Sequence, residues 1–183
     1  MARTGMVARR YAEAAFEIAL RDDTVDAWLD QLTQLGQATS DTSVVRTLEN
    51  PNVPFEARHT ALVNVLGRDA LPQVGNLLGL VLRRRRVDSL VEIAREFRGL
   101  YNRRAGIVEA TATSALPLAK DEVVALRSRL EQMTGDKVQL DMKVDPQLLG
   151  GVQVRIGDLL IDGSVRGRLE RLRGRLASGQ LTP

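Results

Sequence analysis

The stretch Phe97-Arg98-Gly99-Leu100-Tyr101-Asn102-Arg103-Arg104-Ala105-Gly106-Ile107-Val108-Glu109-Ala110-Thr111-Ala112-Thr113 holds the change of pattern that decides the fold. Up to Gly106 the apolar positions Val87, Leu90, Val91, Ala94, Phe97, Leu100 and Tyr101 recur at helical spacing. After Gly106 the run 107–113 is rich in β-branched residues and reads as a strand. The chain is therefore expected to consist of two parts, 1–105 and 106–183, built on different periods.

Toward the C-terminus, Val138, Leu140, Met142 and Val144 alternate with Gln139, Asp141 and Lys143, the pattern of a half-buried strand. A helix from about Lys120 to Met133 lies between the two strands, with Val123, Leu126 and Leu130 inward and Gly135 at its end. Asp145, Pro146 and the pair Gly150-Gly151 turn the chain into a third alternating strand, Val152, Val154 and Ile156. Gly157-Asp158 turns it again into the short strand 159–161. Ser164 is placed to cap a closing helix that carries Val165, Leu169, Leu172 and Leu176. Residues 106–183 thus read as a small α+β module.

Toward the N-terminus everything reads as helix. Val7, Tyr11, Ala14 and Ile18 share one face of a first helix, and Ala8, Ala12, Ala15 and Ala19 form a neighbouring stripe of small residues. A second helix follows Asp22-Asp23, with Val25, Trp28, Leu29, Leu32 and Leu35 on its buried side, and fades over 36–40. A short piece spans 43–48. Pro54 and Pro72 open two more helices, 55–66 and 72–82. In the second of these Val74, Leu77, Leu78, Leu80, Val81 and Leu82 almost encircle the axis, which implies burial on more than one side. The fold class is mainly α, a helical bundle followed by an α+β domain.

Composition narrows the function. The 183 residues are 44% hydrophobic and 27% charged, enough apolar material for packed cores. There is no cysteine, so disulfides, thiolate metal sites and cysteine nucleophiles are excluded. No apolar run approaches the ~20 residues of a membrane-spanning helix, and 1–6 lacks the pattern of a signal peptide. The single histidine, His59, sits beside Arg58 and Glu56 and reads as part of an exposed helical surface without converging catalytic partners. Glu13 and Glu17 are a solvated i,i+4 pair rather than a catalytic dyad. Gly163-Ser164-Val165-Arg166-Gly167 opens a helix after a strand but has neither the P-loop ending nor the dinucleotide glycine spacing. No cofactor or metal is expected, and no enzyme activity.

Net charge is +3, and Arg83 to Arg86 form a basic run. That run supports, as an alternative, a basic nucleic-acid-binding adaptor. Cations at the end of a helix also oppose its dipole, however, and no aromatics are interleaved for base stacking. The surplus apolar surface on the first helix and on 72–82 leaves two readings open. Either both are central core helices, or together they form a groove for a partner's amphipathic helix.

Two strings carry a resemblance. Val7-Ala8-Arg9-Arg10-Tyr11-Ala12-Glu13-Ala14-Ala15-Phe16 and the run Gly150-Gly151-Val152-Gln153-Val154-Arg155-Ile156-Gly157-Asp158-Leu159-Leu160-Ile161-Asp162-Gly163-Ser164-Val165-Arg166-Gly167-Arg168-Leu169 closely resemble the delta subunit family of bacterial rotary ATP synthases. The mitochondrial counterpart of that family is the oligomycin-sensitivity-conferring protein. Asn76-Leu77-Leu78 fits as well, while Ala119 stands where a capping Ser or Thr is usual.

The resemblance implies a non-catalytic stator connector, peripheral to the cytoplasmic face of a bacterial cell membrane. It implies an N-terminal six-helix bundle that takes the N-terminal helix of an alpha subunit between its first and fifth helices. By matching position, Tyr11, Ala14, Ile18, Leu77, Leu80 and Val81 are the groove candidates, with Trp28 nearby. The C-terminal module is implied to receive the b subunits of the peripheral stalk. There Gly150 and Gly151 make the turn, and the helix opened by Ser164, Val165 and Gly167 supplies apolar surface.

Overall fold

The computed structural model describes residues 2–177. Eight α-helices and four strands follow in the order α1 (Ala2–Arg21), α2 (Val25–Ala38), α3 (Thr42–Glu49), α4 (Phe55–Leu66), α5 (Pro72–Arg83), α6 (Leu90–Ala105), β1 (Ile107–Ser114), α7 (Lys120–Thr134), β2 (Lys137–Val144), β3 (Val152–Ile156), β4 (Leu159–Asp162) and α8 (Val165–Ala177). The fold is mainly helical with a small C-terminal sheet. Contacts divide the chain into two compact units between Tyr101 and Asn102, inside the last turn of α6 and four residues ahead of the expected boundary at 105.

The scarce aromatics form the centre of the first unit. Trp28 of α2 stacks on Phe97 of α6 with centroids 6.0 Å apart, and Phe16 of α1 meets Phe97 edge-on at 5.3 Å. Large rings at a crossing of three helices bury much apolar area per residue, and the edge-to-face contact adds ~0.5–1.5 kcal/mol. Leu32, Leu35, Leu62, Val74, Leu78, Val81, Leu90 and Ile93 complete a continuous core.

Two details lie beyond the sequence reading. α2 ends at Ala38, within the expected range, and its Gly36 is packed against α6: a Cβ there would lie 3.3 Å from that of Ala94. Gln31, a polar residue on the buried side, spans the link between α4 and α5. It donates to the Asp69 carbonyl at 2.8 Å and accepts from the Leu71 amide at 3.1 Å. The buried Gln31 amide is thereby satisfied by two loop groups, and the start of α5 is fixed.

In the second unit the sheet order is β2-β1-β3-β4, with β1 parallel to β2 and the other pairs antiparallel. The parallel pair requires a crossover, which α7 provides. Leu126 and Leu130 of α7 pack with Ala110, Ala112, Val138 and Val154. The small alanines of β1 let the helix approach the sheet. α7 starts at Lys120 despite Ala119, because Glu122 reaches back to accept from the Ala119 amide at 2.8 Å, the half of a capping box that needs no hydroxyl. The expected alternation in β2 weakens along the strand: Val138 is buried, Leu140 and Met142 half-buried, and Val144 exposed.

Gly151 is the glycine of this unit whose missing Cβ would lie nearest another backbone. Its φ is +77°, and a Cβ there would lie 2.6 Å from the Gly163 carbonyl oxygen. Gly151→Ala is expected to destabilise the sheet unit by about 2–4 kcal/mol. Gly157→Ala, also at positive φ but with nothing within 4 Å, is expected to cost about 1 kcal/mol. Amide hydrogen exchange of β3 compared among the three proteins checks this, and equal protection in both variants would refute the contact argument.

Candidate partner-binding surfaces

On α1 the stripe of small residues proves to be the core face. Ala8, Ala12, Ala15 and Ala19 are buried, which lets neighbouring helices approach closely. The surface left open is the adjoining one, where Val7, Tyr11 and Ile18 are half-buried and Ala14 is exposed. On α5 Val74, Leu77, Leu78, Val81 and Leu82 are all buried, and the apolar surplus reduces to Leu80, which is 53% exposed. α1 and α5 are linked directly: Gln73, in the first turn of α5, donates to Asp22 at 3.2 Å, just past the end of α1.

The candidate groove residues therefore divide. Ala14 and Leu80 are exposed, and Tyr11 and Ile18 are partly so. Leu77, Val81 and Trp28 belong to the core, with Trp28 only 1% exposed. Among the described residues Trp28 Nε1 finds no hydrogen-bond partner, consistent with a side chain committed to stacking.

Sequence reasoning missed the adjoining surface between α4 and α5. His59 is not simply exposed. Its ring stacks on Phe55 with centroids 5.8 Å apart, and Nε2 lies 2.9 Å from the Gly75 carbonyl oxygen, so that nitrogen carries the proton and donates. Gly79, one turn beyond Gly75 on α5, lies against these rings: a Cβ there would be 3.9 Å from the His59 ring. The Arg83 guanidinium lies 4.8 Å over the Phe55 ring, so one arginine of the basic run is held by an aromatic face. Together with Leu80 these residues line a shallow cleft of about 400 Å³. The spacing Phe55/His59 opposite Gly75/Gly79 was the available signal, but it requires knowing that α4 faces α5.

In the second unit the glycine-rich candidates form a joint rather than a binding face. The Gly163 amide donates to the Val152 carbonyl at 3.1 Å and the Val165 amide to the Gly150 carbonyl at 2.9 Å, which ties the start of α8 to the start of β3. Ser164 is buried, and its hydroxyl accepts from the Gly167 amide at 3.0 Å, the expected cap. Asp162 accepts from the Ser164 amide at 2.8 Å. A Cβ at Gly167 would displace the Asp162 carboxylate from its place beside the Ser164 amide. The hydrogen bonds from Ser164, helped by the charge of Arg171, hold the Asp162 carboxyl below its ordinary value. Beyond this joint Val165, Leu169, Leu172 and Leu176 are all exposed. A second cleft of about 720 Å³, beside Gly150 and Gly151, is lined by Leu116, Pro117, Leu118, Pro146 and Leu149. Among the described residues no group of three His, Cys, Asp or Glu side chains converges to hold a metal ion.

The sequence profile of the family described as the ATP synthase delta (OSCP) subunit matches residues 7–176. The chain is 32% identical over 179 residues to ATP synthase subunit delta of Dehalococcoides mccartyi, covering 98% of each protein. It is 37% identical over 179 residues to ATP synthase subunit delta of Heliobacterium modesticaldum, covering 97% of each. The chain belongs to the ATP synthase delta (OSCP) subunit family. Its fold is also that of a chain in the mitochondrial ATP synthase hexamer of Toxoplasma gondii, with a TM-score of 0.68 at 24% identity, over 96% of this chain and 98% of that one.

Membership makes the chain a structural, non-catalytic subunit of the ATP synthase and a component of its peripheral stalk. Nothing in these relationships supports the nucleic-acid adaptor. The string from Gly150 to Leu169, one of the two that carry the resemblance to the ATP synthase delta family, forms the joint that seats α8.

The depressed carboxyl of Asp162 gives that joint a pH signature. A carboxylate whose pKa falls on folding stabilises the folded state above its unfolded value, 3.8 for this group, and loses that contribution as pH falls through the lower folded value. Asp162→Asn is expected to weaken protection of the α8 amides at neutral pH and to flatten their dependence on pH below 3.8. Hydrogen exchange followed across the acid range checks it. A variant with the same acid profile as wild type would remove Asp162 from the cap.

Proposed function

We propose that this chain joins the catalytic head of the ATP synthase to its peripheral stalk. Residues 1–105 act as a six-helix bundle that receives the N-terminal helix of an alpha subunit along the strip between α1 and α5. Residues 106–183 receive the end of the b subunits. The assembly would sit at the cytoplasmic face of a bacterial cell membrane and hold this chain there peripherally, since among the described residues no helix is long and apolar enough to cross a bilayer.

The observation that carries the reading is Leu80. It is a large apolar side chain, 53% exposed, in a helix whose other large apolar residues are buried. It lies on a helix hydrogen-bonded to the end of α1, where Tyr11, Ala14 and Ile18 keep open surface. An amphipathic helix laid along this strip would cover a face that the bundle leaves wet.

The mechanical task sets the required strength. A stator must not slip while the rotor turns, and nanomolar affinity corresponds to ~12 kcal/mol. Each buried Leu or Ile anchor contributes ~1.5–3 kcal/mol before association costs, so several must be buried together in a groove that is already formed.

Leu80→Asp is expected to leave the unfolding midpoint within about 2 °C of wild type, because the side chain is exposed. The same substitution should weaken binding of a peptide from the alpha N-terminus by roughly 100-fold. Titration calorimetry measures the affinity and a thermal melt verifies the fold. Unchanged affinity in the folded variant would remove Leu80 from the alpha contact.

A further inference from the structure

We propose that α8 is one half of a heterotypic coiled coil, built to pair with a single acidic helix and to repel both a second copy of itself and a basic partner. The inference rests on the reading that the second unit receives the stalk, and it specifies the chemistry by which it does so. Val165, Leu169, Leu172 and Leu176 follow one another at intervals of four, three and four, the spacing of heptad positions d, a, d and a. In that register every e and g position from 165 to 176 is arginine: Arg166 and Arg173 at e, Arg168 and Arg175 at g. The only acidic residue of the helix, Glu170, falls at b, away from the seam.

The structure leaves this seam uncovered. Its four apolar side chains are between 41% and 56% exposed. The helix is attached through its first turn, by the Val165 amide to the Gly150 carbonyl and by Ser164 and Asp162. Arg166 pairs along the helix with Glu170 at 3.1 Å, and Arg171 with Asp162 at 3.9 Å. Among the described residues Arg168 and Arg173, which flank the seam on opposite sides, form no ion pair.

The charge pattern selects the occupant. Across a two-stranded seam, e and g side chains of one helix meet g and e of the other, so a second copy would set arginine against arginine. A partner with Glu or Asp at those positions meets the charges on both flanks. The apolar stripe is also narrow. At 100° per residue the four side chains fall within an arc of about 60°, the width of a helix–helix seam. A helix lying in a membrane surface has a broader apolar face, with Trp or Phe. α8 has no aromatic residue and arginines immediately on either side of the stripe.

The test uses the full chain and two synthetic helical peptides with leucine at a and d, one with glutamate and one with lysine at e and g. Wild type is expected to bind the acidic peptide at least about tenfold more tightly than the basic one, an advantage that shrinks at roughly 0.5 M salt. The Arg168→Glu/Arg173→Glu double variant, its fold checked by circular dichroism, should reverse the preference, an outcome that a merely structural role for these arginines would not produce. Equal binding of both peptides, no binding of the acidic one, self-association through α8 in sedimentation, or capture by phosphatidylglycerol vesicles in place of the peptide would each overturn the proposal.

The soluble part of the stalk b subunit from the same organism is titrated in parallel, and the double variant is expected to lose at least about tenfold in affinity for it. If the b subunit binds wild type and the double variant equally, the seam is wrong and the stalk reading stands. If wild type binds the acidic peptide but not the b subunit, the stalk reading is wrong and the seam stands.

Discussion

The stack of Trp28 on Phe97, met edge-on by Phe16, is the contact on which the first unit depends. The chain has one Trp and three Phe, and three of these four residues are spent at this crossing of α1, α2 and α6. A ring pair fixes distance and angle together, because offset stacking and edge contact are both directional. With those three helices fixed, α5 can bury Val74, Leu78 and Val81 only by turning Leu80 outward. The exposed leucine is thus a consequence of core geometry.

The second unit reaches a comparable result with far less apolar material. Its core is Ala110, Ala112, Leu130, Val138 and Val154 with a ring of half-buried neighbours. Burial of so few side chains leaves little to spare for seating a further helix. α8 is held instead by main-chain bonds and a satisfied cap, with Gly151 and Gly163 in backbone contact. Its leucines, not needed inside, are left on the surface. The two units therefore expose apolar residues for opposite reasons: the first has a full core, the second a core too small to use them.

The sequence made the element types legible wherever periodicity was clean. The change at Gly106, the α7 crossover and the alternating strands all lie where the pattern put them. The contact boundary, between Tyr101 and Asn102, differs because the last turn of α6 turns to the second unit: Asn102 is buried and donates to Glu109 at 2.6 Å. A period cannot report which unit a helical turn packs against. For the same reason the surface of α1 left both a core contact and a partner groove open. Trp28, set near the groove by matching position, lies instead at the centre of the core against Phe97. Gln31, Gly36 and the His59–Phe55 pair were invisible because each is explained by a residue distant in sequence, Asp69, Ala94 and Gly75 respectively.

How force would pass through the second unit follows from the joint. A load applied to α8 passes out near its start, where Val165, Ser164 and Arg171 tie the helix to Gly150 and Asp162. The Gly163–Val152 and Val165–Gly150 bonds are made by main-chain atoms and contain no rotatable side-chain torsion. β3, which receives them, is hydrogen-bonded on both edges, to β1 and to β4, so displacement of its start is resisted by two ladders. A side chain in the place of Gly151 would push the two backbones apart and convert this interlock into a contact through flexible torsions. The glycines of the joint are therefore best understood as stiffness. In a stalk component whose value lies in not yielding, residues without side chains at the load-bearing turn do more than additional apolar surface would, because apolar contacts slide and backbone hydrogen bonds at fixed register do not.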